Sequence, residues 1–256
     1  MLRDASDVHI LPLGLMYQSY LAGEKEPRIS SAWLTEKDRG RVWDVTLGGR
    51  VGLWRWGTDD ILHPQGFQFD VEGAAFVRLD PEANTDVEGA DFRFGMLGTW
   101  RDGPWSAKWG YYHLSSHLGD EFLLAHPGYP RVNYVRDSAI AGLSYDASET
   151  VRVYSEAAYA LGNEGGALPW EFQYGAEYSS TNRTGRGGPY AAINGHTRED
   201  LGWISSVNLV SGWQWRGDGN QHRFRVGVQY YNGPAVQYSF VGGKETLVGA
   251  GLWFDY

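Results

Sequence analysis

One short segment of this sequence places a histidine and a serine two positions apart, as His113-Leu114-Ser115. In a β-strand, such residues point to the same face and lie about 6.6–6.8 Å apart along the chain. An imidazole can bridge that gap and accept the serine proton, which turns the hydroxyl into a nucleophile. His113 and Ser115 are therefore the candidate base and nucleophile of an acyl-transfer reaction.

The next predicted strand supplies candidates for a third member of this site. Asp137 and Asn133 lie there at odd positions, the same parity as His113 on its own strand. If the hairpin closes symmetrically about its long loop, His113 faces Asp137 and His117 faces Asn133. A carboxylate or amide in that place orients the imidazole. Asp137, or else Asn133, is the predicted orienter.

Alternation of apolar and polar residues predicts the strands that position these groups. From Trp43 to Leu53 the odd positions are apolar or glycine, whereas the even positions include Asp44 and Arg50. Most such stretches exceed the soluble norm of about five or six residues, and a tilted strand that crosses a bilayer needs about nine to eleven. The predicted strands are 29–37, 43–53, 66–79, 88–100, 105–117, 132–146, 150–162, 168–180, 189–198, 201–216, 221–232 and 244–256.

These strands predict an all-β fold, a transmembrane antiparallel up-and-down β-barrel of about 12 strands. The barrel would cover residues 29–256, and residues 1–28 would form a periplasmic lead-in segment. A soluble β-sandwich or a lipocalin-like barrel, with its apolar faces turned inward, is the alternative. The membrane barrel is favoured because the apolar faces of many long strands carry aromatic residues, and a soluble barrel of this circumference would need a very large apolar filling.

The connections between strands differ in length in the way that outer-membrane barrels show. Tight turns at 101–104, 146–149 and 216–219 fall on the periplasmic side, and long loops at 118–131 and 233–243 fall outside. The longer connections 57–64 and 181–188 are also predicted on the periplasmic side and fit this rule less well. The last strand alternates and ends on the aromatic Tyr256, which resembles the terminal strand that the bacterial barrel-assembly machinery reads.

Composition narrows the function classes further. The net charge of −9 argues against nucleic acid as a partner, because a protein that binds the phosphate backbone needs a basic surface. The absence of cysteine excludes disulfides, thiolate metal sites and a cysteine nucleophile. No run of 18 or more apolar residues predicts a membrane-spanning helix. The first residues, Met1–Asp4, lack a charged-then-apolar leader, so the expectation is a bacterial outer-membrane protein whose signal peptide is absent from this chain.

Several segments resemble one uncharacterised bacterial family, domain of unknown function 1207. The longest is Lys108–Glu121, which contains His113 and Ser115, and shorter ones are Glu26–Arg28, Asp91–Gly95, Asn133–Asp137, Pro169–Gln173, Gly212–Arg216 and Gly251–Tyr256. The resemblance covers most of the chain from about residue 17. It implies a shared barrel fold and no particular activity.

The segment His113-Leu114-Ser115-Ser116 also resembles outer-membrane phospholipase A and lipid A deacylase. In both, a His-x-Ser pair on the outer wall of a barrel attacks acyl esters of the outer leaflet. Those enzymes have asparagine after the serine, where this chain has Ser116. The resemblance to the phospholipase implies Ca²⁺ as a cofactor, for which Asp120 and Glu121 are the candidate oxygen ligands. Outer-membrane lipids are then the expected partners, besides the barrel-assembly machinery.

The opposite faces of the strands carry charges of both signs. The acidic members are Asp44, Asp70, Glu72, Asp91, Glu156, Glu171 and Glu177, and the basic members are Arg50, Arg78, Arg93, Lys108, Arg136, Arg152, Arg223 and Arg225. Because the two signs nearly balance, the prediction is a lumen filled by cross-strand ion pairs, whereas a selective pore would show one dominant sign.

Three functions are consistent with the sequence. One is a structural or binding barrel, in which His113 and His117 form part of a polar collar at the lipid head groups. The second is an acyl-ester hydrolase of the outer leaflet, a phospholipase or a lipid A deacylase. The third is a small-solute channel.

Overall fold

The computed structural model describes residues 7–37 and 39–256, and these residues form one closed β-barrel. Its strands are β1 (Val8–Ile10), β2 (Ile29–Glu36), β3 (Gly40–Gly57), β4 (Gly66–Asp80), β5 (Asp86–Asp102), β6 (Trp105–Leu118), β7 (Tyr134–Asp146), β8 (Val151–Glu164), β9 (Trp170–Ser179), β10 (Gly188–Arg198), β11 (Ser205–Arg216), β12 (Arg223–Pro234) and β13 (Lys244–Asp255). A short helix, α1 (Asp120–Ala125), and a 3-10 turn (Glu199–Leu201) lie in the connections.

The barrel consists of the strands β2 to β13. Each pairs antiparallel with its neighbours in the chain, and β13 pairs with β2 to close the sheet. The predicted all-β antiparallel barrel of 12 strands is therefore confirmed. Strand β1 is an addition to this wall, since its three residues pair with Trp54, Arg55 and Trp56 of β3, beyond the stretch of β3 that pairs with β2. Among the described residues, no helix is long and apolar enough to cross a membrane.

The two ends of the barrel differ in their connections. At the turn end, where β13 finishes at Asp255, short turns join β5 to β6, β7 to β8 and β11 to β12. At the opposite loop end, residues 119–133 join β6 to β7 and residues 235–243 join β12 to β13. The connections 58–65 and 180–187 also lie at the turn end, as the alternation of strand direction requires.

The two faces of the wall have opposite chemistry. The outer face exposes large apolar side chains on nearly all barrel strands, for example Leu47 on β3, Phe94 on β5 and Val228 on β12. Near the loop end its aromatic rings pack in a band, with Trp33 stacked on Trp43 at 5.9 Å between centroids. Near the turn end a second band includes Phe254 and Tyr256, with Trp215 and Phe224 beside them. An apolar face between two aromatic girdles is the surface that transmembrane barrels present to lipid.

The inner face carries the charged residues, and most of them are paired. The pairs within the wall include Arg50–Asp70, Arg78–Asp44, Arg93–Glu72, Lys108–Glu156, Arg136–Glu171, Arg152–Glu177 and Arg225–Asp255. Most of these side chains are buried. The predicted interior of cross-strand ion pairs is confirmed by this arrangement.

Residues 15–28, which we name the lumen segment, lie inside the barrel. Leu15, Tyr17, Tyr20 and Leu21 are buried there. Leu15 is hydrogen-bonded to Gln221 near the turn end. The segment returns to the same end at Arg28, whose side chain pairs with Asp255 at 3.2 Å.

The placement of the lumen segment corrects the expectation of a periplasmic lead-in over residues 1–28. Only residues 7–14, which include β1, lie between the lumen segment and the start of the described chain, and residues 1–6 are outside the described residues. The physical reason is that buried carboxylates on the wall need donors. The Tyr20 hydroxyl donates to Glu156 at 2.9 Å, and the backbone N–H of Leu21 donates to Glu177.

We expect a filled lumen to conduct few ions. The wild-type barrel in a planar bilayer should show little conductance, because the lumen segment and the ion pairs occupy the interior. A variant that lacks residues 1–24 should show stable steps of higher conductance, provided that heat-modifiable migration in detergent gels confirms that it has folded. Large steps from the wild-type protein would contradict this prediction and support the channel alternative.

Candidate functional site

Strand β6 carries the candidate base and nucleophile on the lipid-facing side of the wall. Its even residues Tyr112, Leu114 and Ser116 are buried toward the lumen, with Ser116 fully inaccessible. The odd residues His113 and Ser115 lie on the opposite face and are partly exposed. The strand alternation that the sequence predicts therefore places the histidine and the serine together on the outer face.

His113 is paired with Asp137 on the neighbouring strand β7. The two residues face each other in the register of the hairpin, and His113 Nδ1 lies 2.9 Å from Asp137 Oδ1. Because an ionised carboxylate only accepts hydrogen bonds, Nδ1–H is the donor. This tautomer leaves Nε2 of His113 without its proton and able to accept one. The side chains are 40% and 39% exposed, so they are within reach of a substrate outside the wall.

Tyr111, which was not among the predicted site residues, completes the arrangement around the carboxylate. Its hydroxyl donates a hydrogen bond to Asp137 Oδ1, the same oxygen that accepts from His113. Two donors on one oxygen restrict the position of the carboxylate, and the fixed carboxylate in turn restricts the orientation of the imidazole. The sequence gives one indication of this role. Tyr111 precedes His113 by two residues and therefore lies on the same face of the strand.

Ser115 lies beside this pair on the same strand. In the register of the sheet it faces Phe92 of β5 and Val135 of β7. Within the described chain, no hydrogen bond joins Ser115 Oγ to His113. The side chains of residues i and i+2 on one face can meet through rotation about χ1, and such catalytic hydrogen bonds often tighten only when substrate binds. The wall thus places the serine within reach of the histidine but does not lock it there.

The outer surface on both sides of these residues is apolar. On β5, Phe92 and Phe94 face Ser115 and His113 and are exposed. On β8, the pairing register shifts between Asp137 and Ser138, so that Leu161 is displaced from the ladder and is 71% exposed. β-Bulges of this kind often lie next to active sites, where they redirect a side chain. Acyl chains could therefore lie against the wall on either side of the polar residues.

Gly162 lies beside the carboxylate. It is the residue of β8 that faces Asp137, and a Cβ atom there would lie 3.5 Å from Asp137 Oδ2. Three residues from Gly162 toward the turn end, Tyr159 packs edge-on against Trp170 of the aromatic band. The candidate site therefore lies at the level where the apolar wall meets the girdle of the loop end.

Asn133 does not join the site. It precedes β7, and its side-chain amide donates to Glu164 at 3.1 Å. The structure therefore pairs His113 with Asp137, the first of the two predicted orienters. His117, which the symmetrical hairpin places opposite Asn133, instead packs against Phe92, with 6.0 Å between ring centroids.

Asp120 and Glu121 are the first two residues of helix α1, and both are exposed. Ca²⁺ takes six to eight oxygen ligands, whereas nowhere in residues 7–37 and 39–256 do three histidine, aspartate or glutamate residues lie together as a metal-binding group. The donor set at Asp120 and Glu121 therefore does not fit a Ca²⁺ site as it stands.

Comparison with known proteins supports the fold. A family model described as a protein of unknown function, DUF1207, matches residues 6–256. No curated protein sequence matches the chain. The outer membrane phospholipase of Salmonella typhi, a dimer with bound calcium, superposes with a TM-score of 0.59 at 13% identity, over 90% of this chain and 92% of that one.

Two further structures agree with this match. Outer membrane phospholipase A from Escherichia coli gives a TM-score of 0.58 at 13% identity, covering 94% of this chain and 95% of that one. The KdgM porin gives 0.50 at 7% identity, covering 89% of this chain and 99% of the porin. The fold of this chain is therefore that of outer-membrane β-barrels, found in a lipase and in a porin alike.

The outward orientation of Ser115 can be measured directly, because the chain has no cysteine of its own. With the protein in bilayers, a fluorescent thiol reagent should label Ser115→Cys, and brominated lipid should quench the label. Ser116→Cys is the matched control, since its side chain is buried toward the lumen and should stay unlabelled. Equal labelling and quenching at both positions would contradict the assignment of the two faces.

Proposed function

Because this chain belongs to a family of proteins of unknown function, DUF1207, its role must be inferred from its own site, and we propose that it is an acyl-ester hydrolase of the outer leaflet of a bacterial outer membrane. The observation that carries this proposal is the pairing of His113 with Asp137 at 2.9 Å on the lipid-facing wall, beside Ser115 on the same face. A carboxylate on a lipid-facing surface costs stability, and orientation of a catalytic imidazole is a function that would justify that cost.

The reaction would proceed by covalent catalysis. Ser115 Oγ attacks the carbonyl carbon of the ester while its proton passes to His113 Nε2. The bond from the carbonyl carbon to the alcohol oxygen then breaks, and the leaving alcohol takes the proton from the imidazolium. A water molecule attacks the acyl-serine, its proton passes to Nε2 and then to Ser115, and the fatty acid leaves. Asp137, held by Tyr111, orients the imidazole and stabilises its charge in both steps.

The surroundings support a lipid as the substrate class. The exposed residues Phe92, Phe94 and Leu161 flank the polar group on both sides, so acyl chains would contact carbon while the ester lies over Ser115 and His113. The position near the loop-end girdle corresponds to the depth at which the acyl esters of phospholipids and lipid A are found. We propose outer-membrane lipids as partners and the outer membrane as the location, with the loop end outside.

The proposed mechanism does not use calcium. The phospholipase with the same fold has bound calcium, but the donor set at Asp120 and Glu121 does not fit that ion. The residues His113, Ser115 and Asp137 supply the base, the nucleophile and the orienter without it. Assays with and without Ca²⁺ will determine whether hydrolysis requires the ion.

A plugged barrel with a structural or binding role is the second candidate. It is favoured by the absence of a hydrogen bond between Ser115 Oγ and His113 in the part of the chain that the structure describes. In that case His113, Asp137 and Tyr111 form a polar collar at the lipid head groups. The assays described next separate the two candidates.

Substitution of the reacting groups should abolish hydrolysis. Wild-type protein in mixed micelles should release fatty acid from phospholipid or lipid A, and Ser115→Ala and His113→Ala should each reduce the rate to background. Asp137→Ala should retain more activity than either, since an orienter contributes less than the nucleophile or the base. Tyr111→Phe should reduce kcat by a smaller factor than Asp137→Ala does, because the carboxylate keeps its contact with His113.

Ser116→Ala is the matched control for these variants. It removes a hydroxyl from the adjacent residue, which faces the lumen, so activity should be unchanged. Heat-modifiable migration in detergent gels should confirm that each variant folds. If the wild-type protein, with and without Ca²⁺, releases no more fatty acid than Ser115→Ala, the catalytic proposal is wrong and the polar-collar alternative stands.

The pH profile offers an independent test of His113 as the base. Activity should fall as the medium becomes acidic, because a protonated imidazole cannot accept the serine proton. The measurement is the initial rate between about pH 5 and 9 in micelles of one composition. A rate that is constant over this range would exclude the histidine as a general base.

A further inference from the structure

Three arginines that line one cavity near the turn end have no carboxylate partner, whereas most cations of the lumen are paired with one. Within residues 7–37 and 39–256, no carboxylate oxygen lies within the 4.0 Å ion-pair distance of Arg183, Arg216 or Arg223. The nearby carboxylates are already engaged, since Glu177 is bound by Arg152 and Asp255 by Arg225.

Two of these arginines face each other directly. Arg216 ends β11, Arg223 begins β12, and the two are partners in the register of that hairpin. Like charges on directly opposed strand residues are destabilising. Arg223 is only 6% exposed, and its Nε is buried without a hydrogen-bond partner. On its other side Arg223 faces Asp255 in the register of β12 and β13, but that carboxylate is engaged by Arg225 and Arg28 and lies beyond the 4.0 Å ion-pair distance from Arg223. The positive charges of buried Arg223 and half-buried Arg216 are therefore only partly offset.

A cavity of about 600 Å³ adjoins these arginines at the turn end. Its lining includes Arg183, Arg216 and Arg223, together with Gln18 of the lumen segment and Thr181. The lining also contains the paired residues Arg101 and Asp146, and Arg152 and Glu177.

Besides these pairs, the cavity contains one exposed carboxylate, Glu149. Three free guanidinium groups against one carboxylate leave the cavity with an excess of positive charge. This is a local exception in a chain whose net charge is −9.

The arginines are held in place by neutral groups, which leaves other donors free. Arg183 Nη1 donates to the carbonyl oxygens of Gly217 and Asn220, at 2.9 and 2.8 Å. Arg216 Nε and Nη2 donate to Ser180 O and Ser179 Oγ, at 2.7 and 2.8 Å.

Within the described residues, Nη1 of Arg216, Nε and Nη1 of Arg223, and Nε and Nη2 of Arg183 have no hydrogen-bond acceptor. Guanidinium groups fixed by neutral contacts, with several donors left over, are a common means of binding carboxylate and phosphate.

We propose that this cavity is a binding site for a small solute that bears an oxyanion, either a phosphate or a carboxylate. The bound anion lies between Arg216 and Arg223 and cancels their mutual repulsion, while Arg183 contributes from the turn between β9 and β10. The volume admits a solute of several non-hydrogen atoms as well as the anionic group. This site is separate from the lipid-facing residues of β6, and it does not depend on the proposed hydrolase function.

The lumen segment forms part of the same site. Gln18 Oε1 accepts from Arg223 Nη2 at 3.4 Å, and the backbone carbonyls of Gln18 and Ser19 accept from Arg152. An anion that takes over the donors of Arg223 therefore competes with the contact to Gln18. Occupancy of the cavity and the position of the lumen segment are linked through this one arginine.

Anion-dependent stability of the detergent-solubilised protein tests the proposal. The midpoint of thermal unfolding should rise saturably with sodium phosphate or with sodium citrate, relative to sodium chloride at equal ionic strength, because a ligand that binds only the folded state stabilises it. A rise of the midpoint with phosphate would identify phosphate-bearing solutes as the ligand class, and a rise with citrate would identify carboxylates. Titration calorimetry with the same two salts should give the affinities.

Arg223→Gln should weaken the affinity by about 10- to 100-fold, which corresponds to the loss of a hydrogen bond to a charged group. Arg183→Gln is a second variant, in the turn between β9 and β10. Arg186→Gln is the matched control, since it removes an exposed arginine of the same turn that does not line the cavity. It should bind like the wild-type protein.

A further readout distinguishes a binding site from a structural one. In chloride alone, Arg223→Gln should unfold at a temperature equal to or above that of the wild-type protein, because it removes the repulsion from Arg216. A lower midpoint in chloride would show that Arg223 serves the fold. No response of the wild-type protein to either anion, or a response that Arg223→Gln and Arg183→Gln both retain in full, would overturn the proposal.

Discussion

The constraint on which this structure depends is that charges enclosed by a narrow barrel must be neutralised within it. The wall turns its apolar side chains to lipid, so the alternation of each strand sends the polar residues inward, where little water can solvate them. Buried charges are tolerated when they are paired and hydrogen-bonded, and an unpaired one is costly. The ladder of pairs from Arg50–Asp70 to Arg225–Asp255 satisfies this requirement across the sheet.

The lumen segment follows from the same constraint. The segment supplies donors to buried carboxylates of the wall and adds carboxylates of its own that wall residues bind. Lys25 pairs with Asp91 at 2.6 Å, and His196 lies between Glu24 and Glu171. Burial alone would raise the pKa of Glu24, but hydrogen bonds from His196 and Ser206 outweigh it and hold that pKa below its ordinary value. The segment is thus an electrostatic complement to the wall as well as a filling.

Residues that act within one strand, or across one hairpin, were predictable from the sequence. Period-two alternation was enough to find the 12 strands, to separate the two faces, and to place His113 opposite Asp137, because each depends on parity and on the symmetry of one loop. The lumen segment was not predictable in this way. Its contacts join residues more than a hundred positions apart, such as Tyr20 and Glu156, and its short irregular path has no period. Tyr111 was visible as a lipid-facing residue, but its bond to Asp137 depends on a side-chain rotamer that no pattern encodes.

The attachment of β1 to the wall makes the two ends of the lumen segment unequal. Before the segment, three residue pairs join β1 to β3, and a few further hydrogen bonds hold residues 11–14, among them Leu11 N–H to Leu53 O and Arg55 Nη2 to Leu13 O. After the segment the chain enters β2, which pairs with β3 through eight residues and with β13 through eight more. A tether with so few backbone hydrogen bonds opens far more often than the body of the sheet. Displacement of the segment would therefore begin at Val8–Ile10 and peel toward Leu15, while Arg28 stays fixed as the pivot. Access to the interior of the barrel therefore depends on how firmly the residues before the lumen segment are attached to β3.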